Sequence, residues 1–243
     1  MREDPEQIEI RKIAKHAPFE QRDILEVGCG NGRLTFQYAE SARSATALDP
    51  SAKAIAEARK EAPKKLASKL RFRVGRGEDL NYPDESFDAV FFSWSLCCAD
   101  VPAMGTALTE AHRVLRPKGV LVNIQPSLHQ PFNKGMISYL LQRYSGPNVS
   151  DEGDRQARLA LRHASLVEGK FDLVAEEEFP VYSYYRSVRE ALDDVTSQNG
   201  VEYKSLDGGT ARRIRKILVS MKTKAGIKVQ ENAVLTVLRK SPS

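Results

Sequence analysis

The chain has 243 residues and a formal net charge of +5, with 28% charged and 41% hydrophobic residues. This length and composition are typical of a globular protein with a substantial core, and they exclude a chain that is disordered throughout. The longest largely apolar stretch, from Ala89 to Ala99, is too short to cross a bilayer, and the first twelve residues lack the apolar core of a secretion signal. We therefore expect a single domain over residues 1–243, without a membrane span, in the cytoplasm.

Strands and helices alternate along the first half of the chain. Asp4 and Pro5 are expected to begin a leading helix. Apolar, β-branched segments then predict five strands, separated by helical segments, at 23–27, 44–49, 70–74, 87–93 and 120–125. Such alternation indicates parallel strands joined by right-handed crossovers, so we predict an α/β fold with a doubly wound, Rossmann-like, mostly parallel sheet.

The second half of the chain has a less regular pattern. Helical segments are predicted at 150–169, 187–198 and 210–226, a long strand at 171–185, and an antiparallel final strand at 232–240. Two stretches, 127–150 and 187–230, are expected to be helical cap insertions that cover a substrate. Five tyrosines supply aromatic surface for a flat organic molecule: Tyr139, Tyr144, Tyr182, Tyr184 and Tyr185. Alternation of Tyr182 and Tyr184 also fits one face of a strand.

Three alternate glycines follow the first predicted strand in the segment DILEVGCGNGRLT, from Asp23 to Thr35. Gly28, Gly30 and Gly32 allow positive φ and let a ligand approach the main chain, and the N–H groups that begin the following helix are available to bind it. The dinucleotide fingerprint requires a third glycine where this chain has Arg33. The spacing therefore argues against a pyrophosphate ligand.

Two acidic residues flank this turn. Glu26, just before the glycines, would repel a pyrophosphate and suits a ligand with an ammonium and a sulfonium; it also fits a strand-end acid that bonds turn amides. Asp49, at the end of the second strand, stands where an acid accepts hydrogen bonds from ribose hydroxyls. An Asp before a Pro also fits a turn or a helix cap.

Together with TALDPS, VGRGEDLNYPDESFDAVFFSWSLCCAD and EAHRVLRPKGVLVNI, the glycine segment resembles the class I S-adenosylmethionine-dependent methyltransferases over roughly residues 23–124. The resemblance implies S-adenosylmethionine as cofactor, S-adenosylhomocysteine as product, and methyl transfer to a small organic acceptor by in-line displacement. It places Glu26 and the glycines around the methionine part and Asp49 on the ribose. It places 77–79 along the adenine and 93–94 beneath the sulfonium. The implied cofactor-binding residues are Glu26, Gly28, Cys29, Gly30, Gly32, Asp49, Pro50, Gly77, Glu78, Asp79, Ser93 and Trp94.

The sequence departs from the family pattern in two places. Arg76 stands where many members have the acid that meets the adenine amino group, and Cys97 and Cys98 stand where many have histidines. These departures keep open a catalytically silent cofactor-binding subunit of a larger complex. A nicotinamide-dependent dehydrogenase is the weakest alternative because of the glycine spacing.

No residue is a clear catalytic group. Orientation alone lowers the barrier to methyl transfer, so a general base is optional. His129, just past the fifth strand, is the candidate for an acceptor contact, although a loop histidine also fits an ordinary surface residue. The cysteines and histidines lack the spacing of a zinc site, so no metal is expected.

The helical segment at 210–221 has one apolar and one basic face. Its basic residues are Arg212, Arg213, Arg215 and Lys216. This pattern fits a solvated cap helix, and it also fits contact with an anionic membrane or with RNA, which keeps an RNA (tRNA) methyltransferase as an alternative. A small-molecule acceptor is preferred because no RNA-binding module is recognisable, and the protein is expected to be a monomer or a homodimer.

Overall fold

The computed structural model describes residues 1–141, 144, 151–164, 168–198 and 201–241, with the backbone alone for 151–154 and 198. Parts of both predicted insertions, at 142–143, 145–150 and 199–200, lie outside the described residues. The chain divides into two compact units. The core unit comprises Ile10–Gln125, Asp154–Glu177 and Val234–Ser243; the insertion unit comprises Met1–Glu9, Pro126–Gly153 and Glu178–Ala233.

Nine strands and eight α-helices make up the described regular structure, apart from short 3₁₀ turns. The strands are β1 (Arg2–Glu3), β2 (Asp23–Val27), β3 (Ser44–Asp49), β4 (Leu70–Val74), β5 (Phe87–Ser93), β6 (Leu115–Pro126), β7 (Phe171–Tyr185), β8 (Lys222–Thr223) and β9 (Gly226–Lys240). The helices are α1 (Ile8–His16), α2 (Arg33–Tyr38), α3 (Ala52–Glu61), α4 (Val101–Val114), α5 (Phe132–Leu141), α6 (Asp151–Arg162), α7 (Val188–Gln198) and α8 (Gly208–Ser220). None of these helices combines the length and the apolar character that crossing a bilayer requires.

The core unit is built on a parallel sheet with strand order β6-β5-β2-β3-β4. β2 is the central strand of these five. From β2 the chain passes through α2 to β3 and then β4 on one side, and later to β5 and β6 on the other. The sheet continues beyond β6 through β9 and β7. The predicted α/β fold class, with a mostly parallel sheet and an antiparallel strand, is confirmed.

Apolar side chains on both faces of the strands form the core of this unit. One face packs on α4 and α6 through a cluster that includes Phe92, Met104 and Leu161. The other face carries stacked and edge-on rings of Phe19, Tyr38 and Phe91. Both faces of the central strands are therefore covered by packed side chains.

The insertion unit has its own apolar core. α5, α7 and α8 pack together through residues that include Ile137, Leu192 and Ile214, and Ile227 and Val229 of β9 belong to the same cluster. β8 pairs antiparallel with β9, and β1 pairs antiparallel with β7. Both predicted insertions lie within this unit, and the single domain over residues 1–243 stays a prediction.

Several boundaries differ from the sequence prediction. α1 begins at Ile8 because the Asp4 carboxylate accepts from the N–H groups of Ile8 and Glu9, both at 2.9 Å. The helix predicted at 210–226 ends at Ser220, since Lys222 pairs with Ile227 across a tight turn. The final strand consequently begins at Gly226, six residues before the predicted Asn232.

Candidate active site

The carboxyl ends of three neighbouring strands bring most of the predicted residues to one edge of the core unit. Val27 pairs with Leu48 near the ends of β2 and β3, and Glu26 pairs with Phe91 of β5. In open parallel sheets ligands bind at this edge, where the strand order reverses. The edge at β2 is therefore the candidate site.

The glycine turn after β2 has the left-handed backbone that its sequence predicts. Gly28, Gly30 and Gly32 have φ of 79°, 55° and 85°. The Gly28 N–H donates to the Leu48 carbonyl at 2.7 Å, and a Cβ on Gly28 would lie 2.3 Å from the Ser95 Cβ. A Cβ on Gly30 would have no other atom within 4 Å. The turn is thus packed against its neighbours at Gly28 and open at Gly30.

Asp49 fixes both the glycine turn and the start of α3. One carboxylate oxygen accepts from the Gly30 N–H at 2.9 Å, and the other accepts from the Ser51 N–H at 2.8 Å. The Asp49 carbonyl accepts from Gly75 N–H at 3.2 Å, which ties the ends of β3 and β4 together. The side chain is partly exposed, so its carboxylate can accept further hydrogen bonds from a ligand.

Glu26 is only 2% exposed and lies beneath the turn. Its Oε2 accepts from the Thr35 hydroxyl at 2.5 Å and from the Tyr38 hydroxyl at 3.0 Å, both on α2. Burial, and secondly this carboxylate, raise the pKa of Tyr38 well above its ordinary value. Glu26 therefore places a hydrogen-bonded carboxylate at the start of the turn, bonded through Oε2 to hydroxyls of α2.

The last residue of β5 and the two residues after it also lie at this edge. The Ser93 hydroxyl oxygen is buried and has no hydrogen-bond partner in the described residues. Trp94 has a φ of 57°, rare for a bulky residue, and its N–H donates to the Ile124 carbonyl at 2.8 Å. Ser95, which the sequence reasoning missed, donates from its hydroxyl to the Val27 carbonyl at 2.6 Å and thereby holds this segment against Gly28.

The remaining predicted cofactor-binding residues differ in how far they are exposed to solvent. Gly77 is buried, and a Cβ there would lie 3.1 Å from both Val27 and Ala107. Glu78 is half-buried, whereas Asp79 and Pro50 are exposed. Cys29 is buried, and its Sγ lies 3.6 Å from the Gly30 carbonyl oxygen.

His129 belongs to the insertion unit, and its side chain is 86% exposed. Its Nδ1 lies 3.5 Å from Glu178 Oε2, and its carbonyl accepts from the Asn232 side chain at 2.8 Å. Asn232 also donates to Glu178 Oε1 at 3.2 Å. These contacts hold the histidine at one place on the surface.

Two buried amides in β6 were also missed by the sequence reasoning. Asn123 and Gln125 are almost inaccessible to solvent, and the Asn123 amide donates to Gln125 Oε1 at 3.2 Å. The Asn123 Oδ1 has no hydrogen-bond partner in the described residues. The sequence did contain a signal for this pair: two amide residues at alternate positions of an otherwise apolar predicted strand. Buried polar groups normally have hydrogen-bond partners, so such residues indicate a specific contact.

Comparisons with known proteins agree with this geometry. A family model described as a methyltransferase domain matches residues 25–123. A ubiquinone/menaquinone biosynthesis C-methyltransferase UbiE from Rickettsia bellii (strain OSU 85-389) is 30% identical over 210 residues, covering 82% of this chain and 77% of its own length. The chain belongs to the class I S-adenosylmethionine-dependent methyltransferases. The corresponding protein of Rickettsia rickettsii (strain Sheila Smith) is 28% identical over 193 residues, covering 76% of this methyltransferase and 72% of its own length.

Solved structures share the fold. The YcgJ protein of Bacillus subtilis has a TM-score of 0.62 at 17% identity, covering 96% of this chain and 97% of its own. A SAM-dependent methyltransferase from Methanosarcina mazei has a TM-score of 0.58 at 17% identity, and the match covers 96% of this chain and 98% of the Methanosarcina chain. The family model and the curated relatives, rather than these structures, show that the methyltransferase uses S-adenosylmethionine to methylate a small organic acceptor. The RNA and catalytically silent alternatives are not favoured.

Cys98 of the methyltransferase is expected to be its most reactive thiol. It is exposed, and its Sγ lies 3.5 Å from the Trp94 carbonyl oxygen. A hydrogen bond from Cys97 lowers the pKa of the Cys98 thiol to about 7, and this outweighs partial desolvation of the sulfur and the negative charge of Asp49, which both raise the pKa. Burial, followed by the charges of Glu26 and Asp49, raises the pKa of Cys29 far above its ordinary value.

We therefore expect iodoacetamide to alkylate Cys98 first, at a rate that rises through pH 7 and levels off above it, because the thiolate is the nucleophile. Peptide mass spectrometry of samples quenched over a pH series measures this rate for each cysteine. Cys98→Ser serves as control and should leave only slow labelling. A rate that follows the titration of an ordinary thiol, near pH 8.5, would contradict the expectation.

Proposed function

We propose that this methyltransferase methylates a ring carbon of a hydroxylated aromatic acceptor of the quinol type. The proposal rests on the curated relatives. Two of them, matched over 72% and 77% of their own lengths, are C-methyltransferases of ubiquinone and menaquinone biosynthesis. A cavity lined by aromatic and cationic side chains in the insertion unit supports it. The core unit would bind the methyl donor, and the insertion unit would bind the acceptor.

The residues at the core-unit edge fit S-adenosylmethionine. The open space at Gly30 admits a ligand against the main chain, and the buried Ser93 hydroxyl lacks a partner that a ligand can supply. Asp49 offers a partly exposed carboxylate to ribose hydroxyls, and Glu26 places negative charge near a cationic methionine part. We also propose cofactor contacts for Gly28, Cys29, Gly32, Pro50, Gly77, Glu78, Asp79 and Trp94, with residues 77–79 along the adenine and Trp94 beneath the sulfonium.

The cavity proposed for the acceptor has a volume of about 400 Å³ and lies in the insertion unit. Its lining comprises Pro131, Phe132, Asn133, Tyr182, Met221, Lys228 and Gln230. The Lys228 ammonium lies 3.6 Å from the centre of the Tyr182 ring. A hydrogen bond with Tyr184 raises the pKa of Lys228 above its ordinary value, which favours the positively charged ammonium.

This arrangement fits a phenolic ring. A flat ring packs on Tyr182 and Phe132, while the Lys228 ammonium stabilises a ring oxygen that has lost its proton. A phenolate is more nucleophilic than a phenol at its ring carbons, and the bound cofactor supplies an electrophilic methyl group. Loss of a proton from the methylated carbon then restores the aromatic ring. The protein has to orient the ring carbon, which alone provides about 7–11 kcal/mol.

His129 is the candidate for receiving the hydroxyl proton, with Glu178 holding its ring. We expect His129→Gln to lower kcat about 100-fold, with the affinity for the cofactor unchanged, as measured by methyl transfer at saturating donor. His163→Gln is the matched control because His163 is an exposed histidine paired with Glu168 at 3.2 Å in the core unit. Equal activity of the two variants would remove His129 from the reaction.

The acceptor class is tested with methyl-¹³C-labelled S-adenosylmethionine and simple benzo- or naphthohydroquinones. We expect a carbon-bound methyl signal by NMR, with the reduced ring as substrate and the oxidised ring inactive. A methyl group on oxygen would contradict carbon methylation. Transfer to neither ring, by protein that binds the cofactor, would refute the acceptor class.

A cytoplasmic location and a monomeric or homodimeric state are part of the same proposal. Each of the three cysteines carries a free thiol, which fits a reducing compartment. Sedimentation of the purified chain measures its oligomeric state.

A further inference from the structure

The basic face of α8 has no role in the methyl-transfer proposal. Four cations of this helix are exposed: Arg212, Arg213, Arg215 and Lys216. None of them forms an ion pair with a carboxylate in the described part of the chain. The helix has no acidic residue between Gly208 and Ser220, and the exposed Lys222 and Lys224 follow it directly. The cations therefore form a surface of one sign.

The cations lie opposite the side of α8 that is buried. Ile214 and Leu218 enter the insertion-unit core, and the four cations occupy the other side of the helical wheel. Val219 lies among the cations and is half exposed. The outward face of α8 thus combines positive charge with an apolar side chain.

α5 adds an apolar face to the same unit. Its Ile137 and Leu141 join Ile214 and Leu218 in one core cluster, so the two helices are packed together. On the opposite side of α5, Phe132 is 77% and Tyr139 is 70% exposed. Leu128, shortly before the helix, is half exposed. Phe132 and Tyr139 are seven residues apart and so lie on the same side of α5. Large apolar side chains exposed on one helix face are typical of an interaction surface.

We propose that the outward faces of α5 and α8 bind the surface of an anionic lipid bilayer. Cations near such a surface attract acidic headgroups, and exposed aromatic and aliphatic side chains enter the boundary between headgroups and acyl chains. The charge complementarity selects anionic lipids. The exposed aliphatic side chains of Leu128 and Val219 favour a bilayer over RNA as the partner. RNA binds to cationic and aromatic side chains and gains little from contact with aliphatic groups. The surface shares Phe132 with the lining of the cavity proposed for the acceptor, so its test measures vesicle binding rather than methyl transfer.

The test is co-sedimentation of the full chain with phosphatidylcholine vesicles, with and without phosphatidylglycerol. We expect binding only to the anionic vesicles, and weaker binding at higher salt. Neutralising the α8 cations (R212Q, R213Q, R215Q and K216Q together) should weaken partitioning about 1,000-fold. Tyr139→Ser should weaken it less and leave the salt dependence unchanged, because that variant removes apolar contact alone.

The matched control neutralises four exposed cations of the core unit (K60Q, K64Q, K118Q and R239Q together), which changes net charge equally. Circular dichroism and the melting temperature verify that each variant is folded. Equal binding by the two neutralised variants, or no binding to anionic vesicles by the parent chain, would overturn the proposal. Binding of single-stranded RNA that is lost in the α8 variant, without vesicle binding, would assign the surface to nucleic acid instead.

Discussion

Gly28→Ala should lower the free energy of unfolding by about 2–5 kcal/mol. The left-handed backbone at φ 79° gives a side chain about 1–2 kcal/mol of strain. The new Cβ would lie 2.3 Å from the Ser95 Cβ, and overpacking of this kind adds about 1–3 kcal/mol. Ser95 is held in place by its 2.6 Å hydrogen bond to the Val27 carbonyl, so it cannot withdraw without loss of that bond.

Gly30→Ala is the matched control within the same turn. Its φ of 55° gives comparable strain, but its Cβ would enter open space. We expect a loss of only about 1–2 kcal/mol, measured by urea denaturation under identical conditions. Since that open space is proposed for the cofactor, Gly30→Ala should nonetheless weaken the binding of S-adenosylhomocysteine. Equal destabilisation by the two variants would contradict the described packing of the turn.

Asp49→Ala should lower the affinity for S-adenosylhomocysteine at least about 100-fold. The carboxylate holds the N–H groups of Gly30 and Ser51, and it is proposed to accept hydrogen bonds from the ribose. Hydrogen bonds to a charged group are each worth about 1.5–3 kcal/mol, and 1.4 kcal/mol corresponds to a tenfold change in affinity. Loss of the proposed ribose contacts and loss of the hydrogen bonds that hold the turn therefore both lower the affinity.

Isothermal titration calorimetry measures this effect, with Asp172→Ala as control. Asp172 is an exposed acid near the start of β7 in the core unit, so the control removes the same charge at a residue outside the proposed cofactor site. Asp49→Asn should fall between the parent and Asp49→Ala, because one amide oxygen still accepts while the amide nitrogen cannot. Undiminished affinity in Asp49→Ala would exclude the residue from the cofactor site.

The first half of the fold could be predicted from sequence because its signals are local. Branched apolar runs predicted β2 to β5 closely, and Ser51, which accepts from the Ala54 N–H at 3.2 Å, begins α3 as its type suggests. The glycines were expected at positive φ, and all three have it. Asp49 accepts from the N–H groups of Gly30 and Ser51, which fits the turn interpretation, whereas the cap of α3 is Ser51. The ribose contact of Asp49 stays a prediction.

The remaining site features depend on contacts that are distant in sequence. Ser95 meets Gly28 only after β5 has paired with β2, and no pattern near Ser95 indicates that contact. Lys228 and Tyr182 meet only because β7 and β9 are neighbours in the sheet. The left-handed Trp94 is likewise set by its surroundings, since a bulky residue does not favour that backbone. Tertiary packing, rather than local preference, determined these positions.

The central claim is that the glycine turn and Asp49 bind S-adenosylmethionine, and its most direct test is calorimetric titration of the purified parent chain. S-adenosylmethionine, S-adenosylhomocysteine and NADH are each added to the parent protein and to Gly30→Val and Asp49→Ala. We predict binding of both adenosyl ligands to the parent, weakened or lost in both variants, and no binding of NADH. Binding of NADH, or undiminished binding of the adenosyl ligands by both variants, would contradict the claim.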